Sequence, residues 1–271
     1  MTKIKDSDLF HLSVSKVKTF LTCKAKYRFC YIEHLPKREW DFQIFGKFLH
    51  NVLENFHRSI IEGFDGQDHL LMKQSFATAL KTWGGKLTSA QKSECFNILK
   101  EYLVIRFKDR EQKTVSDVID VEKDFSININ NVLLLNGFID VVQCDPDGML
   151  HVADYKTSKQ KRYLKNDLLQ LKTYAYALMY EEPLIKQVRC SYVMLRHKFD
   201  RIEKEFKREE IMETPQNFID YAEKINTEKL YRPSTGPLCR YCDYLGQCKA
   251  GKKYMIGGTD SFGTTDWCNN V

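Results

Sequence analysis

The sequence predicts an α/β fold in which helices flank a mixed β-sheet. Segments with apolar residues at helical spacing alternate along the chain with short apolar runs that are separated by turn residues. The chain has 271 residues, 43% of them hydrophobic and 29% charged, so it can bury a core and is not a disordered polypeptide. This length allows one large domain or two small ones, and we expect a single domain over residues 1–271.

The first part of the chain is predicted to be helical. Apolar residues recur at helical spacing over residues 13–33, 44–62 and 70–111, and the last of these segments is interrupted near Trp83. We interpret residues 63–114 as a helical insertion that shapes a substrate channel.

Strands dominate the second part, with helices between them. The predicted strands are residues 115–130, 132–143, 149–156, 187–196 and 201–206, and the predicted helices are residues 166–181 and 213–228. Residues 251–271 are rich in Gly and Thr, and we expect them to form a loosely packed tail.

Composition and charge exclude some classes of protein. No apolar run approaches the roughly 18 residues of a membrane-spanning helix, and the polar segment Met1–Phe10 shows no secretory signal. Nine cysteines in such a chain favour a reducing compartment such as the cytoplasm, where clustered cysteines more often bind metal than form disulfides. The net charge of +6 fits a polyanionic partner, although many proteins without one carry a similar charge.

A predicted β-hairpin carries acidic and basic groups near one end. Its strands are Leu133–Val142 and Leu150–Thr157, and a turn that contains Pro and Gly separates them. Asp140, Asp154 and Lys156 lie within these strands, where aspartate is disfavoured. Solvated strand ends would explain one such residue, but two aspartates followed by a lysine favour a metal site.

The register of this hairpin decides whether the carboxylates meet. A hairpin centred on Pro146 puts Asp140 opposite Val152. Asp140 and Asp154 then share one face, about 7 Å apart on the diagonal. A hairpin centred between Pro146 and Asp147 puts Asp140 opposite Ala153. Asp154 then points to the opposite face of the sheet, and no site forms without a bulge. The sequence leaves both registers open.

Two carboxylates and a lysine around one divalent cation can hydrolyse phosphodiesters. Mg²⁺ prefers oxygen ligands and keeps several waters for chemistry. Lys156 would orient or deprotonate the attacking water and stabilise negative charge on the phosphate. We therefore expect a metal-dependent phosphodiesterase site that holds one or two ions.

Four segments resemble motifs of the PD-(D/E)xK nuclease superfamily, and in particular of its RecB-like branch. Gly46–Glu54 resembles the Gly-x-x-x-His helix of that branch, and Gln170–Ala175 resembles its Gln-x-x-x-Tyr motif. Asp140 resembles the second motif and Asp154–Thr157 the third, in which aspartate instead of glutamate is common in this branch. The matched segments follow the family's order from about residue 12 to residue 248.

The resemblance implies a restriction-endonuclease-like core and a deoxyribonuclease that uses Mg²⁺ or Mn²⁺. The implied metal ligands are His50, Asp140, Asp154 and the backbone carbonyl of Tyr155. An imidazole ligand favours Mn²⁺ somewhat. Without the resemblance, His50 would be interpreted as a partly exposed helix histidine, as His57 is. The expected activity is exonucleolytic, on single-stranded or frayed DNA ends, and the residues leave endonuclease activity open.

The resemblance also implies catalytic roles for Lys156, Gln170 and Tyr174. Gln170 and Tyr174 are one helical turn apart and share a face, so Gln170 would hold the water or phosphate, or orient Lys156. The alternative is that both form the polar edge of a core helix. Glu122, on the preceding strand, is either a further ligand for a second ion or an ordinary exposed carboxylate.

Cysteines near the two ends of the chain form a second predicted site. Cys239, Cys242 and Cys248 have a spacing that can wrap one tetrahedral centre. AddB-type and CRISPR-associated RecB-like exonucleases carry a similar set, with one early cysteine, around a [4Fe–4S] cluster. That resemblance implies Cys23 as the fourth ligand and iron–sulfur in preference to Zn²⁺.

Other cysteines and other metals stay open for this second site. Cys30 and Cys268 are alternative fourth ligands, and Lys24 stands where the relatives often have proline after the first cysteine. Thiolates alone permit Zn²⁺ as well as iron. We expect a structural role, in which the cluster joins the N-terminal helix to residues 230–250. The remaining cysteines in apolar or mixed contexts are interpreted as buried side chains: Cys95, Cys144 and Cys190.

Basic residues cluster after the predicted catalytic strand. The first run contains Lys156, Lys159, Lys161, Arg162 and Lys165, and the second contains Arg196, His197, Lys198, Arg201, Lys204, Lys207 and Arg208. Such runs usually mark a solvated face. Beside a phosphodiesterase site, the first run and Thr157 would contact the DNA backbone. The aromatic residues proposed to stack unpaired bases are Tyr155, Tyr163 and Phe199.

Two other functions fit the same sequence. One is a nuclease-like fold that binds DNA without turnover, and the other is an interaction protein stapled by zinc. The intact Asp140, Asp154 and Lys156 favour the enzyme. No motif reports the polarity of digestion, the oligomeric state or the pathway, whether repair, CRISPR adaptation or viral replication.

Overall fold

Helices alternate with the strands of one mixed sheet in a computed structural model that describes residues 9–161, 164 and 167–257. The helices are α1 (Val14–Thr22), α2 (Lys24–Tyr27), α3 (Asp41–Ile61), α4 (Asp68–Trp83), α5 (Ser89–Gln112), α6 (Leu169–Glu181), α7 (Arg208–Ile211), α8 (Thr214–Thr227) and α9 (Lys249–Gly257). The strands are β1 (Phe10–Leu12), β2 (Asp117–Ile129), β3 (Leu133–Cys144), β4 (Leu150–Lys156), β5 (Gln187–Met194) and β6 (Asp200–Lys207). This architecture confirms the predicted α/β fold.

The described strands pair in the order β1-β3-β4-β5-β6, and β2 also pairs with β3. The pairs β1–β3 and β4–β5 are parallel, while β3–β4 and β5–β6 are antiparallel. Helix α6 connects β4 to β5, because a parallel pair needs a crossover. Every residue of β4 from His151 to Tyr155 is buried, which is the pattern of a strand covered on both faces.

The β3–β4 hairpin has a register that neither of the two predicted alternatives anticipated. Val141 pairs with Ala153, so the centre of the hairpin lies one residue beyond the expected one. Continued by one residue, this register brings Asp140 opposite Asp154. The turn depends on Gly148, whose φ of +81° lies in the left-handed region that favours glycine. The five-residue loop is odd, so the two carboxylates still share a face.

The chain divides into two compact units, and the larger one builds its core around α3. It contains Trp40–Phe125 and Phe138–Met212. Phe45, Leu49 and Val52 on α3 are fully buried in one cluster with apolar side chains of α4, α5, β3, β4 and β5. The expected break between the two insertion helices is confirmed, since a short 3₁₀ turn separates α4 from α5.

The smaller unit contains the described residues up to Glu39, the segment Ser126–Gly137 and the described residues from Glu213. A small aromatic cluster around Tyr244 forms part of its core. The single helix predicted over residues 13–33 is wrong, because the extended backbone of Cys23 ends α1 and precedes α2. This break sets the Cys23 side chain at the junction of two helices.

The C-terminal region begins with a helix, which corrects the loose tail expected from residue 251. Helix α9 ends at Gly257, and Gly251 within it is buried. The rest of the predicted tail, residues 258–271, lies outside the described residues. In the described part of the chain, no helix combines the length and the apolar character that crossing a bilayer requires.

Candidate metal centre

Side chains from three elements of the larger unit meet at one end of the hairpin. Helix α3 provides His50, β2 provides Glu122, and β3 provides Asp140. One ligand atom from each of these residues lies within 4.8 Å of the other two, so the three can share one cation.

The backbone of Tyr155 links the histidine to the aspartate. Its carbonyl oxygen lies 2.9 Å from His50 Nε2, and its N–H donates a 2.8 Å hydrogen bond to Asp140 Oδ2. His50 Nδ1 is 3.4 Å from the same carboxylate oxygen. An imidazole, a carboxylate and a main-chain carbonyl are therefore adjacent, and this donor set fits Mg²⁺ or Mn²⁺.

Asp154 lies in a hydrogen-bonded network with the other predicted catalytic residues. Its Oδ2 atom is 2.5 Å from Lys156 Nζ, and its Oδ1 atom accepts a 2.9 Å hydrogen bond from Gln170 Nε2. Lys156 Nζ also donates to Gln170 Oε1 over 3.4 Å. The Tyr174 hydroxyl accepts from Gln170 Nε2 at 2.7 Å and donates to Asp154 over 3.4 Å. The structure thus brings these four side chains together.

One carboxylate beyond the implied ligand set joins the centre. Glu122, expected at most to assist a second ion, belongs to the group of three, while Asp154 lies next to Asp140 and also contacts Lys156 and Gln170. Glu122 has a φ of +48° in the middle of β2, which is a left-handed conformation rare for residues other than glycine. Strained backbone conformations of this kind are concentrated at functional sites, where they fix the direction of a side chain.

Burial and like charge set the protonation of the centre. Burial, and after it the charge of Asp154, raise the pKa of Asp140 to about 7, although nearby positive charges act in the opposite direction. Burial opposes the charge of the Lys156 ammonium, yet the pKa of Lys156 is raised because Asp154 lies beside it. A cation at the centre would relieve the repulsion between the two carboxylates.

His57 is a buried residue behind the centre that the sequence did not single out. Its Nε2 atom lies 3.1 Å from the Tyr155 hydroxyl and 3.2 Å from the Tyr102 hydroxyl. Burial, followed by the charge of Arg106, lowers the pKa of His57 to about 3, so its imidazole is neutral at physiological pH. The spacing of seven residues from His50, two turns along α3, was the available signal.

Several residues of the basic runs have partners within the fold. Arg196 donates to Glu94 and to the Thr157 carbonyl, over 2.7 and 2.8 Å. Arg208 donates to three main-chain carbonyls around the end of α6. The Lys161 ammonium is paired with a carboxylate of β6. These side chains stabilise the fold, so they are weaker candidates for DNA contacts than the sequence suggested.

The expected stacking residues are not at the surface. Tyr155 is 7% exposed and Phe199 is 9% exposed, and both line a cleft behind the centre, so the prediction that they stack the unpaired bases of a DNA strand is wrong. Lys159 is exposed after the catalytic strand. The other basic and aromatic residues predicted there, Arg162, Tyr163 and Lys165, lie outside the described residues.

Four cysteines of the smaller unit line one small cavity. They are Cys23, Cys239, Cys242 and Cys248, the predicted set. Backbone amides donate to three of the sulfurs, at 3.4 Å from Ser234 to Cys23, 3.5 Å from Gly236 to Cys239, and 3.3 Å from Gly251 to Cys248. The alternative ligand Cys30 is instead buried in the aromatic cluster around Tyr244, and Cys268 lies outside the described residues.

Comparisons with known proteins agree with this geometry. A family model described as the PD-(D/E)XK nuclease superfamily matches residues 11–249. A protein of Streptococcus agalactiae, named as a subunit of an ATP-dependent helicase/deoxyribonuclease, is 27% identical over 164 residues, which cover 59% of this chain and 15% of that protein. The Streptococcus pyogenes protein of the same name is 26% identical over 152 residues, 54% of this chain and 14% of that one. This chain therefore matches only a small part of those relatives.

A solved structure also shares the fold. A crystal structure from Eubacterium rectale, provisionally described as an exonuclease, has a TM-score of 0.52 and 13% sequence identity. The match covers 90% of this chain and 94% of that one.

Proposed function

The chain belongs to the PD-(D/E)XK nuclease superfamily, and on that premise we propose that it is a metal-dependent deoxyribonuclease. The observation that carries the proposal is the meeting of His50, Asp140 and the Tyr155 carbonyl beside the lysine of the third motif. Among the chain's donors, these groups, Asp154 and Glu122 would hold the ion. A divalent cation bound there supplies Lewis acidity and neutralises charge on the phosphate.

The residues beside the ligands would bind and orient the reactants. Asp154 keeps the ammonium of Lys156 charged and in place, so that Lys156 donates to the scissile phosphate and stabilises the charge that develops there. Gln170, held between Asp154 and Tyr174, would orient the attacking water. The protonated state of Lys156 favours this electrostatic role over proton abstraction.

We propose DNA with single-stranded or frayed ends as the substrate. The streptococcal relatives are named deoxyribonuclease subunits, and the fold is shared with a protein provisionally described as an exonuclease. Since Tyr155 and Phe199 are buried, contact with the DNA backbone is a better-supported mode of binding than base stacking at these positions.

The test compares cleavage by the wild type with cleavage by Asp154→Ala and Lys156→Ala in Mg²⁺ or Mn²⁺. The substrates are end-labelled single-stranded DNA, blunt duplex, closed circular DNA and RNA of the same sequence. We expect wild-type cleavage of linear DNA, a loss in both variants, and no change in Lys186→Ala, which removes an exposed lysine elsewhere. A wild type no faster than the two variants would leave a DNA-binding module without turnover. Cleavage of the circle would identify an endonuclease.

We further propose that the four cysteines hold a [4Fe–4S] cluster with a structural role. Amide hydrogen bonds to three sulfurs support bound thiolates. The preference for iron–sulfur over zinc rests on the resemblance of the cysteine spacing to that of RecB-like exonucleases, since thiolates alone permit either metal.

Anaerobic purification followed by metal analysis tests the cluster. We expect iron and acid-labile sulfide, with visible absorbance. A colourless, iron-free protein loaded with zinc would contradict the cluster and favour the zinc-stapled alternative.

A further inference from the structure

The larger unit has a cleft that the proposed nuclease does not use. Its volume is about 540 Å³, which is within the range of sites for small organic molecules. Side chains of α5, β2, β5 and the turns at both ends of the neighbouring strands line it. Tyr155 and His57 belong to its wall, so the cleft lies behind the metal centre.

Two of the cations that line the cleft have no acidic partner in the part of the chain that the structure describes. Arg189 is bound to Asp145, at 2.5 Å, and to other carboxylates, and Arg106 is bound to Asp68 at 3.0 Å. The other two lining cations are exposed: Lys198 and Arg201. The acids at the cleft are Asp109, Asp145 and Asp147, and the last two are bound by Arg189.

The positive charge of Arg201 acts on the Tyr102 hydroxyl in the wall of the cleft. Burial raises the pKa of the Tyr102 hydroxyl to about 12, and the Arg201 guanidinium acts against this rise. The Arg201 guanidinium lines the cleft together with Tyr102, and a guanidinium without an acid beside it is suited to an anionic group.

The turn between β5 and β6 holds an aromatic ring at the cleft under local strain. Lys198 and Phe199 have φ values of +56° and +58°, and for a bulky residue such a conformation is an outlier. Strain of about 1–3 kcal/mol for each such residue persists only where the surroundings enforce it, commonly at functional sites. The Phe199 ring lies 5.2 Å from that of Tyr102, which gives the cleft an aromatic wall beside the cations.

One buried polar atom in the wall lacks a partner. His57 is 2% exposed, and its Nδ1 atom has no hydrogen-bond partner among the described residues, although Nε2 has two. Buried polar atoms are satisfied in most proteins, by protein, water or ligand.

We propose that the cleft binds a nucleoside 5′-monophosphate. Its phosphate pairs with Lys198 and Arg201, and its base lies against the aromatic wall formed by Tyr102 and Phe199. Binding at this place needs neither a metal ion nor turnover. The wall residues His57 and Tyr155 connect an occupant to the metal centre, because the Tyr155 carbonyl lies beside His50.

Calorimetric titration in EDTA tests the proposal without involving the nuclease. The probes are dTMP and dAMP, with thymidine and inorganic phosphate as partial ligands. We expect a Kd below about 1 mM for the nucleotides, and at least tenfold weaker binding of each partial ligand. Arg201→Ala should weaken nucleotide binding at least about tenfold, as the loss of a charged hydrogen-bonding partner does. Lys204→Ala is the matched control, because alternation places it on the opposite face of β6.

Three outcomes would overturn the proposal. One is no measurable binding of either nucleotide, and another is equal binding of nucleotide and inorganic phosphate. The third is binding that survives Arg201→Ala but is lost in Asp140→Ala, which would locate the ligand at the metal centre. Phe199→Leu, checked for an unchanged melting temperature, should weaken the nucleotides more than phosphate and so identifies the base-binding wall. A nuclease assay that fails leaves this titration unaffected.

Discussion

The two candidate metal sites hold their ligands by opposite means. The centre in the larger unit uses oxygen and imidazole groups on helix and strand, and these groups are already hydrogen-bonded to one another. The site in the smaller unit uses four sulfurs around a cavity, and the first sulfur is more than 200 residues from the other three. The fold positions the ligands of the centre in the larger unit, whereas a metal at the cysteine site would cross-link segments that are distant in the sequence.

This difference predicts different consequences of losing the metal. Asp154 is buried and Asp140 is half-buried, and their charges repel each other, so the centre without a cation carries an electrostatic cost that the rest of the fold has to offset. The small apolar cluster around Tyr244 is the main packing that holds Cys23 near the late cysteines, so a bound metal would add directly to the stability of this unit. Metal at the first site should therefore govern turnover, and metal at the second should govern stability.

The largest effect is expected for Asp140→Ala, which removes the aspartate that contacts both His50 and the Tyr155 backbone. We expect the cleavage rate to fall by at least about 10³-fold, since the ion's charge stabilisation is lost. Iron content should stay at the wild-type value, and the melting temperature should not fall. Asp117→Asn, an exposed carboxylate at the start of β2, is the control for charge alone. If this variant lost iron together with activity, the two metal sites would not be independent of each other.

The grouping of these side chains at the candidate metal centre was predictable because each belongs to a local motif that resembles those of the family. His50, Asp140, Lys156 and Gln170 each belong to a short motif within one helix or strand, and secondary structure brings each motif to the same end of the sheet. The hairpin register was not predictable in the same way. It depends on the left-handed turn at Gly148 and on a loop of five residues, which the composition of the turn does not determine.

Several contacts between distant segments were not determined by the sequence. Glu122 joins the centre through a left-handed residue within a strand, where alternation predicts no such bend. Arg196 is neutralised by Glu94, 102 residues earlier, so its basic run resembled a DNA-binding surface. Phe199 is buried because it packs on Tyr102 of α5. Each of these outcomes depends on which surfaces the fold brings into contact.

The second effect concerns the cysteine site and is expected in stability. Cys239→Ser should abolish iron binding and lower the melting temperature by at least about 10 °C, because metal binding contributes directly to folding free energy. Cys30→Ser is the matched control, since Cys30 is buried in the same unit but does not line the cavity. Iron content and thermal unfolding, both measured anaerobically, check this. Equal iron loss in both variants would make Cys30 a ligand and contradict the assignment.

The third effect is a pH dependence that only the metal centre should show. The pKa of Asp140 is raised to about 7, and a metal ion binds its carboxylate form. Binding therefore releases a proton below pH 7, and Mg²⁺ or Mn²⁺ affinity should fall up to about tenfold for each pH unit between 7 and 5. Calorimetry in buffers of different ionisation enthalpy measures both the affinity and the proton release. Iron content should not change over the same range.

The raised pKa of Asp140 also predicts how the stability of the folded protein depends on pH. A carboxyl group whose pKa is raised by folding lowers the stability of the folded state as pH rises from the unfolded pKa to the folded one. The metal-free protein should therefore lose stability between the ordinary pKa of 3.8 and the raised pKa of about 7, and Asp140→Asn should remove that part of the loss. An unchanged pH profile of the melting temperature in Asp140→Asn would argue against a buried, repelled carboxylate.

The smallest effect is expected for Gly46→Ala, which separates stability from activity at the metal centre. A Cβ at Gly46 would lie 3.2 Å from Thr157 Oγ1, so Thr157, directly after Lys156, must shift. Alanine inside α3 should stabilise the helix by up to about 1 kcal/mol, while the shift lowers the cleavage rate about three- to tenfold. The double variant with Thr157→Ala should cleave as fast as Thr157→Ala alone, because the crowding is relieved. Full activity in Gly46→Ala would show that the close approach of α3 to the catalytic strand is not needed, and that the centre tolerates more displacement than its hydrogen bonds suggest.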